Sequence, residues 1–216
     1  MEELFVKIKN TLLSKKKSKT TLRAHQEVMS ISRPIAKVIK ENPPQGMREG
    51  AVLLLFYLKQ EKWCTALIRR PVYEGVHSAQ IALPGGKKEA GDTNLQYTAL
   101  REAWEEIGVP ISSVELLGEL SQVYIPPSNF LVSSYVGALR SAPTFVAQES
   151  EVAEILEMDL KDELLNVVPK KNQNLSVKSA NSVVCGFPIS EHFIWGATAM
   201  ILNEFRHLML EDQIEL

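Results

Sequence analysis

The order of apolar runs and turn residues predicts a mixed α/β domain, and three observations carry that prediction. Ala51–Lys59 is an apolar run, and Trp63–Arg69 is a second one behind the charged turn Gln60-Glu61-Lys62, the pattern of two strands joined tightly. Residues 95–107 contain neither Gly nor Pro and are stopped by Gly108 and Pro110, which predicts one helix with a glycine at its C-terminal end. Beyond it, Val114–Tyr124 alternates and Leu131–Leu139 is apolar again, with the two-proline loop Ile125–Phe130 between them. Strand, loop, helix, strand, loop, strand is a mixed order, unlike the separate blocks of an all-α or all-β chain.

The remaining elements follow in chain order. Leu4, Phe5, Ile8, Leu12 and Leu13 recur at helical spacing over residues 2–14, and the run Lys15–Lys19 should end that helix. Residues 21–41 read as partly helical with Pro34 interrupting them, and Asn42-Pro43-Pro44-Gln45-Gly46 is a clear break. Residues 1–46 are therefore expected to be a helical extension packed on a main domain of 47–210, and a homodimer contact would use this extension. Pro71–Gln80 reads as a loop, Ile81–Leu83 as a short strand leading into Gly85-Gly86, and Lys87–Asn94 as a polar loop. Asp92, Thr93 and Asn94 are candidate caps of the following helix, and for Asp92 capping is favoured over metal binding. Met158–Leu165 reads as a short helix or turn, and Val167–Val184 as a hairpin that caps the site. Phe193–Met209 reads as a terminal helix with Trp195 and Phe205 in the core.

Composition excludes several classes. The chain has 216 residues, 45% hydrophobic and 23% charged, with a net charge of −2. That suits a soluble globular protein and gives no basic surface for nucleic acid. The lysine run could touch acidic lipid or nucleic acid, but a solvated helix end or loop is the favoured reading. No stretch has the length and apolarity of a membrane span, and acids follow Met1 where a secretory leader would be basic. Cys64 and Cys185 have no close spacing, so they read as buried reduced thiols of a cytoplasmic protein.

The chemistry concentrates in the predicted helix. At about 100° per residue, Glu102, Glu105 and Glu106 fall within an arc of roughly 100°, while Leu100, Ala103 and Ile107 lie on the other side. Arg101 is one helical turn before Glu105 and can reach it. No lysine stands between Thr93 and Pro110 to offset the repulsion. A hard divalent cation, Mg²⁺ or Mn²⁺, would. A lone Glu-x-x-Glu-Glu is usually a solvated acidic face; here a Gly-Gly turn and an arginine accompany it.

With these residues the stretch 86–109 resembles the Nudix hydrolases. Their signature is a glycine, five residues, an acid, seven residues, then Arg-Glu-apolar-x-Glu-Glu-x-Gly-apolar. Arg101–Val109 matches its second half throughout. The first half departs: the acid is Asp92 rather than glutamate, and eight residues separate it from Arg101. The extra residue resembles the coenzyme A pyrophosphatase branch, whose upstream motif reads Leu-Leu-Thr-x-Arg-Ser, three residues, Arg, three residues, Gly, three residues, Phe-Pro-Gly-Gly. Leu67–Gly86 aligns with it without a gap. Arg70 and Pro84-Gly85-Gly86 match, while Ile68, Pro71, Gly75, Ala79 and Leu83 replace specified residues. Tyr124–Phe130, Glu151–Glu154 and Ile194–Ala199 also look like that branch, so the resemblance spans about residues 48–207.

The resemblance implies an α/β/α sandwich around a mixed sheet and metal-dependent hydrolysis of a nucleotide diphosphate. Glu102, Glu105, Glu106 and the Gly85 carbonyl would hold Mg²⁺ or Mn²⁺. Arg101 would orient Glu105, and Glu151 or Glu105 would take the proton of the attacking water, with Glu151 preferred over Glu154 as the functional loop glutamate. Arg70 is a salt-bridge partner on motif-free grounds, and the matched spacing makes it a phosphate contact. His77, Ser78 and Gln80 are candidate substrate contacts, and Lys170, Lys171 and Lys178 could meet an anion. Coenzyme A or acyl-coenzyme A is the implied substrate, giving adenosine 3′,5′-bisphosphate and 4′-phosphopantetheine. Another nucleoside diphosphate derivative or a dNTP stays open, because Gly75 replaces an arginine. A nucleotide-binding regulator that does not cleave stays open too, although it would not need all three helix carboxylates.

Overall fold

The computed structural model describes residues 1–14, 17–29, 40–74, 77–172 and 183–216. Helices α1 (Glu2–Leu13) and α2 (Lys17–Val28) precede β1 (Arg48–Lys59), β2 (Lys62–Arg69), β3 (Ile81–Ala82) and β4 (Gly85–Lys87). The charged helix α3 (Leu95–Ile107) follows, then β5 (Glu115–Glu119), β6 (Val123–Ile125), β7 (Phe130–Ala138) and β8 (Glu154–Asp159). A small second sheet of β9 (Lys170–Asn172), β10 (Val184–Ile189) and β11 (His192–Trp195) leads into the last helix, α4 (Gly196–Glu211).

β1 is the hub of the main sheet. It pairs antiparallel with β2 and β4 and parallel with β7, while β5 and β6 pair with the far side of β7 and β8 with β2. The sheet is mixed, as the element order predicts. Between β1 and β2, Gln60 and Glu61 both take positive φ, 49° and 63°, the left-handed pair that a two-residue hairpin turn requires. β1 is apolar at successive positions because both its faces are covered. Leu53, Leu55 and Tyr57 join Ala66, Ile68 and the Ala99–Ala103–Ile107 stripe of α3 in one core layer. Leu54 and Phe56 join Leu67, Leu156 and Met158 in the other, closed by Ile201, Phe205 and Met209 of α4.

The N-terminal helices share that second layer. Phe5, Ile8 and Leu12 of α1 are buried in it, with Phe5 edge-on to both Phe56 and Trp63, whose rings stack 4.2 Å apart. α2 lies along α4, where the fully buried Glu204 carboxylate accepts hydrogen bonds from Thr21 Oγ1, Ser121 N and Ser121 Oγ, with His25 Nε2 at 3.0 Å.

Several expectations need correction. The lysine run does not simply end the first helix: Lys17 and Lys19 already belong to α2, which ends at Val28. Pro34 lies outside the described residues. Val114–Tyr124 is two strands, because the chain breaks at residues 120–122, where the Ser121 amide turns to Glu204. β8 takes Met158 into the sheet; its pairing with β2 leaves only Leu160–Leu165 as an irregular helical turn, whose free amides at Lys161 and Asp162 bond the Asp159 carboxylate. The terminal helix begins at Gly196, because Phe193–Trp195 pair with β10. Of the hairpin expected over 167–184, the described ends pair as β9 and β10, and residues 173–182, Lys178 among them, lie outside the described residues. Neither cysteine is in a disulfide; Cys64 is buried, whereas Cys185 is only half-buried. Among the described residues no helix is long and apolar enough to cross a membrane.

Because Phe5 is fully buried against two rings, Phe5→Ala should cost about 3–5 kcal/mol. Urea denaturation followed by tryptophan fluorescence should give a lower midpoint with an unchanged slope.

Candidate active site

The helix carrying the carboxylates is fixed at both ends by its own sequence. Asn94 is the N-cap, its side chain accepting the Tyr97 amide at 2.8 Å. Gly108 ends the helix at φ 73°, and its amide returns to Trp104 O. A side chain on Gly108 would be strained at that φ and would press on Val146.

Asp92 is therefore not the cap. It lies buried beneath Arg101, accepting from Nε at 2.9 Å and Nη2 at 3.0 Å, and also from Thr98 Oγ1 and the Glu89 amide. The Arg101 guanidinium holds its carboxyl far below the usual carboxylate range, and Asp92 in turn raises Arg101. The same guanidinium pairs with Glu105 at 2.7 Å, with Glu102 at 2.9 Å, and donates to the Lys87 carbonyl at 3.1 Å. Arg101 thus spends its planar fork of donors on orienting two helix carboxylates and tying the helix to the glycine turn.

The glycine turn supplies the floor. Gly85 has φ 154°, and a Cβ there would lie 2.3 Å from Ala51 O. Its amide donates to Glu106 Oε2 at 2.7 Å, and its carbonyl accepts Arg70 Nη2 at 3.1 Å. A Cβ on Gly86 would fall 2.6 Å from the Glu102 carboxylate, so the bare backbone at Gly86 is what gives that carboxylate its place.

Glu151 arrives from the loop between β7 and β8. The loop is stapled to the end of α3, where helical carbonyls lack intrahelical donors: Val146 N donates to Ile107 O, and Gln148 N to Glu106 O at 3.0 Å. Glu151 N and Val152 N then turn back onto Gln148 O, Ala153 N donates to Arg69 O, and Val152 is buried. One oxygen each of Glu102, Glu106 and Glu151 lies within 4.8 Å of the others. Glu102 and Glu106 are buried while Glu151 is exposed, so the group opens to solvent on one side.

The electrostatics of the group suit a bound cation. Burial pushes Glu106 up to about 8, and Glu102 and Glu151 push the same way, against Arg70 and the Gly85 amide. Burial also raises Glu102, with Glu105 and Glu151 adding to it, against Arg101. Two buried carboxylates with raised pKa and a third carboxylate beside them, over a cradle that a methyl group would fill, fit one hard divalent cation with carboxylate oxygen ligands.

The structure divides the residues singled out in the sequence. It brings together Glu102, Glu106, Glu151, Gly85 and Arg70. It keeps Glu105 beside Arg101 and outside the three-carboxylate group, with 44% of its side chain exposed. Glu154 points to the opposite face of the sheet, paired with Arg69 at 2.9 Å and facing His192, because strand alternation sends it away from α3. His77, Ser78 and Gln80 are turned onto their own loop: His77 Nδ1 meets Gln80 Oε1 at 3.0 Å, and Ser78 Oγ accepts the Tyr73 amide. Gly75 lies outside the described residues.

Comparison with known proteins shows the family. The NUDIX domain family model matches residues 47–176. The uncharacterized Nudix hydrolase NudL of Photorhabdus laumondii is 31% identical over 165 residues, covering 75% of this chain and 87% of its own. NudL of Yersinia pestis is 34% identical over 167 residues, covering 77% and 81%. Among solved structures, a MutT/nudix family protein from Enterococcus faecalis superimposes with a TM-score of 0.53 at 14% identity, over 83% of this chain and 70% of that one; this likeness concerns the fold alone. A mixed sheet between α3 on one face and α1, α2 and α4 on the other, with the family's helix carboxylates at one edge, is the Nudix α/β/α sandwich, and the chain belongs to the Nudix hydrolase family.

Proposed function

We propose that this Nudix hydrolase cleaves the diphosphate bond of coenzyme A or acyl-coenzyme A, releasing adenosine 3′,5′-bisphosphate and 4′-phosphopantetheine. The observation that carries the hydrolytic part is the convergence of Glu102, Glu106 and Glu151 within 4.8 Å, beside an arginine. What supports the substrate is the ungapped alignment of Leu67–Gly86 with the upstream motif of that branch.

In this reading Glu102, Glu106 and Glu151, with the Gly85 carbonyl, hold Mg²⁺ or Mn²⁺. When bound, such an ion neutralises diphosphate oxygens and lowers the pKa of a coordinated water. Glu105 takes the water's proton: it is exposed, and Arg101 grips only one of its oxygens, Oε2, leaving the other to accept. Arg101 is a positioning residue, since its donors go to Asp92, Glu102, Glu105 and Lys87 O rather than outward. Arg70 binds diphosphate oxygens with the donors it does not give to Gly85. Residues 77–80, held by the His77–Gln80 and Tyr73–Ser78 hydrogen bonds, would form the wall on that side. No covalent nucleophile is needed, and the bond is broken by water alone.

The first test is mass spectrometry of products after incubation with Mg²⁺ or Mn²⁺ and a panel of coenzyme A, acetyl-coenzyme A, ADP-ribose, NADH, diadenosine polyphosphates and dNTPs. Release of 4′-phosphopantetheine or its acyl form is expected. Cleavage of the other compounds only would keep the helix chemistry and reject the coenzyme A substrate.

The two helix roles separate by mutation. Glu105→Gln should lower kcat about 10²–10⁴-fold and leave Mn²⁺ affinity near wild type, whereas Glu106→Gln should lose Mn²⁺ binding as well as turnover, read by calorimetric titration of the metal-free protein. Equal Mn²⁺ affinities in both variants and wild type would refute the assignment.

A third expectation concerns stability without metal. Glu106 has its folded pKa raised from 4.5 to about 8. Its contribution is full below its unfolded pKa and is lost as pH rises through about 8. In chelator, Glu106→Gln should therefore melt higher than wild type at pH 9, by roughly 3–6 °C, and the two should converge near pH 4. The glutamine keeps the acceptor for the Gly85 amide, so scanning calorimetry at the two pH values isolates the charge.

A further inference from the structure

Arg70 already occupies part of the cation's ground. Its Nη2 donates to Gly85 O at 3.1 Å and stands 3.9 Å from Glu106 Oε1. The second distance is a charge contact rather than a hydrogen bond. Glu106's other oxygen is taken by the Gly85 amide at 2.7 Å, so Oε1 is the oxygen Glu106 has left for a cation. The Gly85 carbonyl and Glu106 Oε1 are therefore both faced by one guanidinium.

That grip is partial. Arg101 places its fork on three carboxylates, while Arg70 has one hydrogen bond to a neutral carbonyl and a long approach to one carboxylate. Its side chain is 28% exposed, and its backbone is pinned, the Arg70 amide donating to Gln80 O at 3.0 Å. Only the side chain is free to move, and its long stem can carry the head several ångströms without disturbing β2. A guanidinium and a hard divalent ion also repel each other, so both cannot sit on the Gly85 carbonyl and Glu106 Oε1 at once.

We infer that Arg70 is an internal stand-in cation of the metal-free enzyme. It is held on the Gly85 carbonyl and Glu106 until a divalent ion takes those oxygens, and it is then handed over to the diphosphate of the substrate. This rests on the metal reading given above and adds a coupling to it: the ion must displace Arg70, and the displaced Arg70 becomes a diphosphate ligand. Each event favours the other, and by linkage the effect is reciprocal.

The test is calorimetric and does not use turnover. Mn²⁺ is titrated into chelator-cleared wild type, Arg70→Ala, Arg70→Gln and Arg70→Lys, first alone and then with saturating methylenediphosphonate, a diphosphate that the enzyme cannot hydrolyse. Without the diphosphonate, Arg70→Ala and Arg70→Gln should each bind Mn²⁺ about tenfold more tightly than wild type, and the diphosphonate should then tighten Mn²⁺ about tenfold in wild type but far less in these variants. Unchanged or weaker Mn²⁺ affinity in both neutral variants would overturn the stand-in role. Tighter Mn²⁺ in both, with wild-type affinity restored in Arg70→Lys and the diphosphonate effect intact in all four proteins, would mean fixed repulsion and would overturn the hand-over. Absence of Mn²⁺ binding in wild type and every variant would instead overturn the metal reading itself.

Discussion

The arrangement hangs on one buried guanidinium. Arg101 is 9% exposed and reaches the Asp92 carboxylate behind it, Glu102 and Glu105 beside it, and the Lys87 carbonyl at the end of β4. A charge taken out of water this far is tolerable only when its partners are present and well aligned; deleting one partner of such a buried pair typically costs about 3–5 kcal/mol. Asp92 is the partner that makes it tolerable, and it gives Arg101 an anchor that does not depend on anything bound at the site. The helix, the polar loop before it and the glycine turn are thereby one rigid piece. The directions of Glu102 and Glu105 follow from that piece rather than from their own rotamer preferences.

Around this anchor the fold concentrates negative charge and then leaves it undercompensated. Glu106 is almost fully buried and meets one amide and a distant arginine. Glu102 shares Arg101 with two other carboxylates. Glu151 is delivered to the same place by a loop whose amides satisfy the last carbonyls of α3. A helix end needs donors from somewhere, and here the donors come from the segment that carries the third carboxylate. Closing the helix and bringing the third carboxylate to the other two are the same set of hydrogen bonds, which ties the stability of the α3 C-terminus to the position of Glu151.

The sandwich behind the site explains why the site is stiff. β1 has α3 on one face and α4 with α1 on the other, so its apolar run is buried throughout. α1 does more than decorate this frame: Phe5, Ile8 and Leu12 close the second core layer, and Gly118 of β5 lies so close to Leu12 that a Cβ would come within 2.9 Å. The family model begins only at residue 47, yet the helices before it cover apolar side chains of β1 and β2 that would otherwise face water.

Much of this was legible in the chain itself. Local signals decided the β1–β2 hairpin, the span of α3 and its glycine stop, the glycine turn, and the arc that puts Glu102, Glu105 and Glu106 on one side with Arg101 within reach of Glu105. These depend on contacts between residues a few positions apart, which spacing encodes directly. Four matters needed the tertiary structure. Asp92 is a partner of Arg101 rather than a cap, because a carboxylate next to a helix start can serve either and only the buried guanidinium decides. Glu151 and Glu154, three residues apart, separate onto opposite faces because β8 pairs with β2, and a short strand whose partner lies 85–95 residues earlier leaves little local trace. Glu105 stays with Arg101 while Glu151 completes the three-carboxylate group, a choice between charges that periodicity cannot make. The contact of Arg70 with the Gly85 carbonyl and Glu106 joins the residue after β2 to β4 and α3, and it exists only once the sheet has brought those three together.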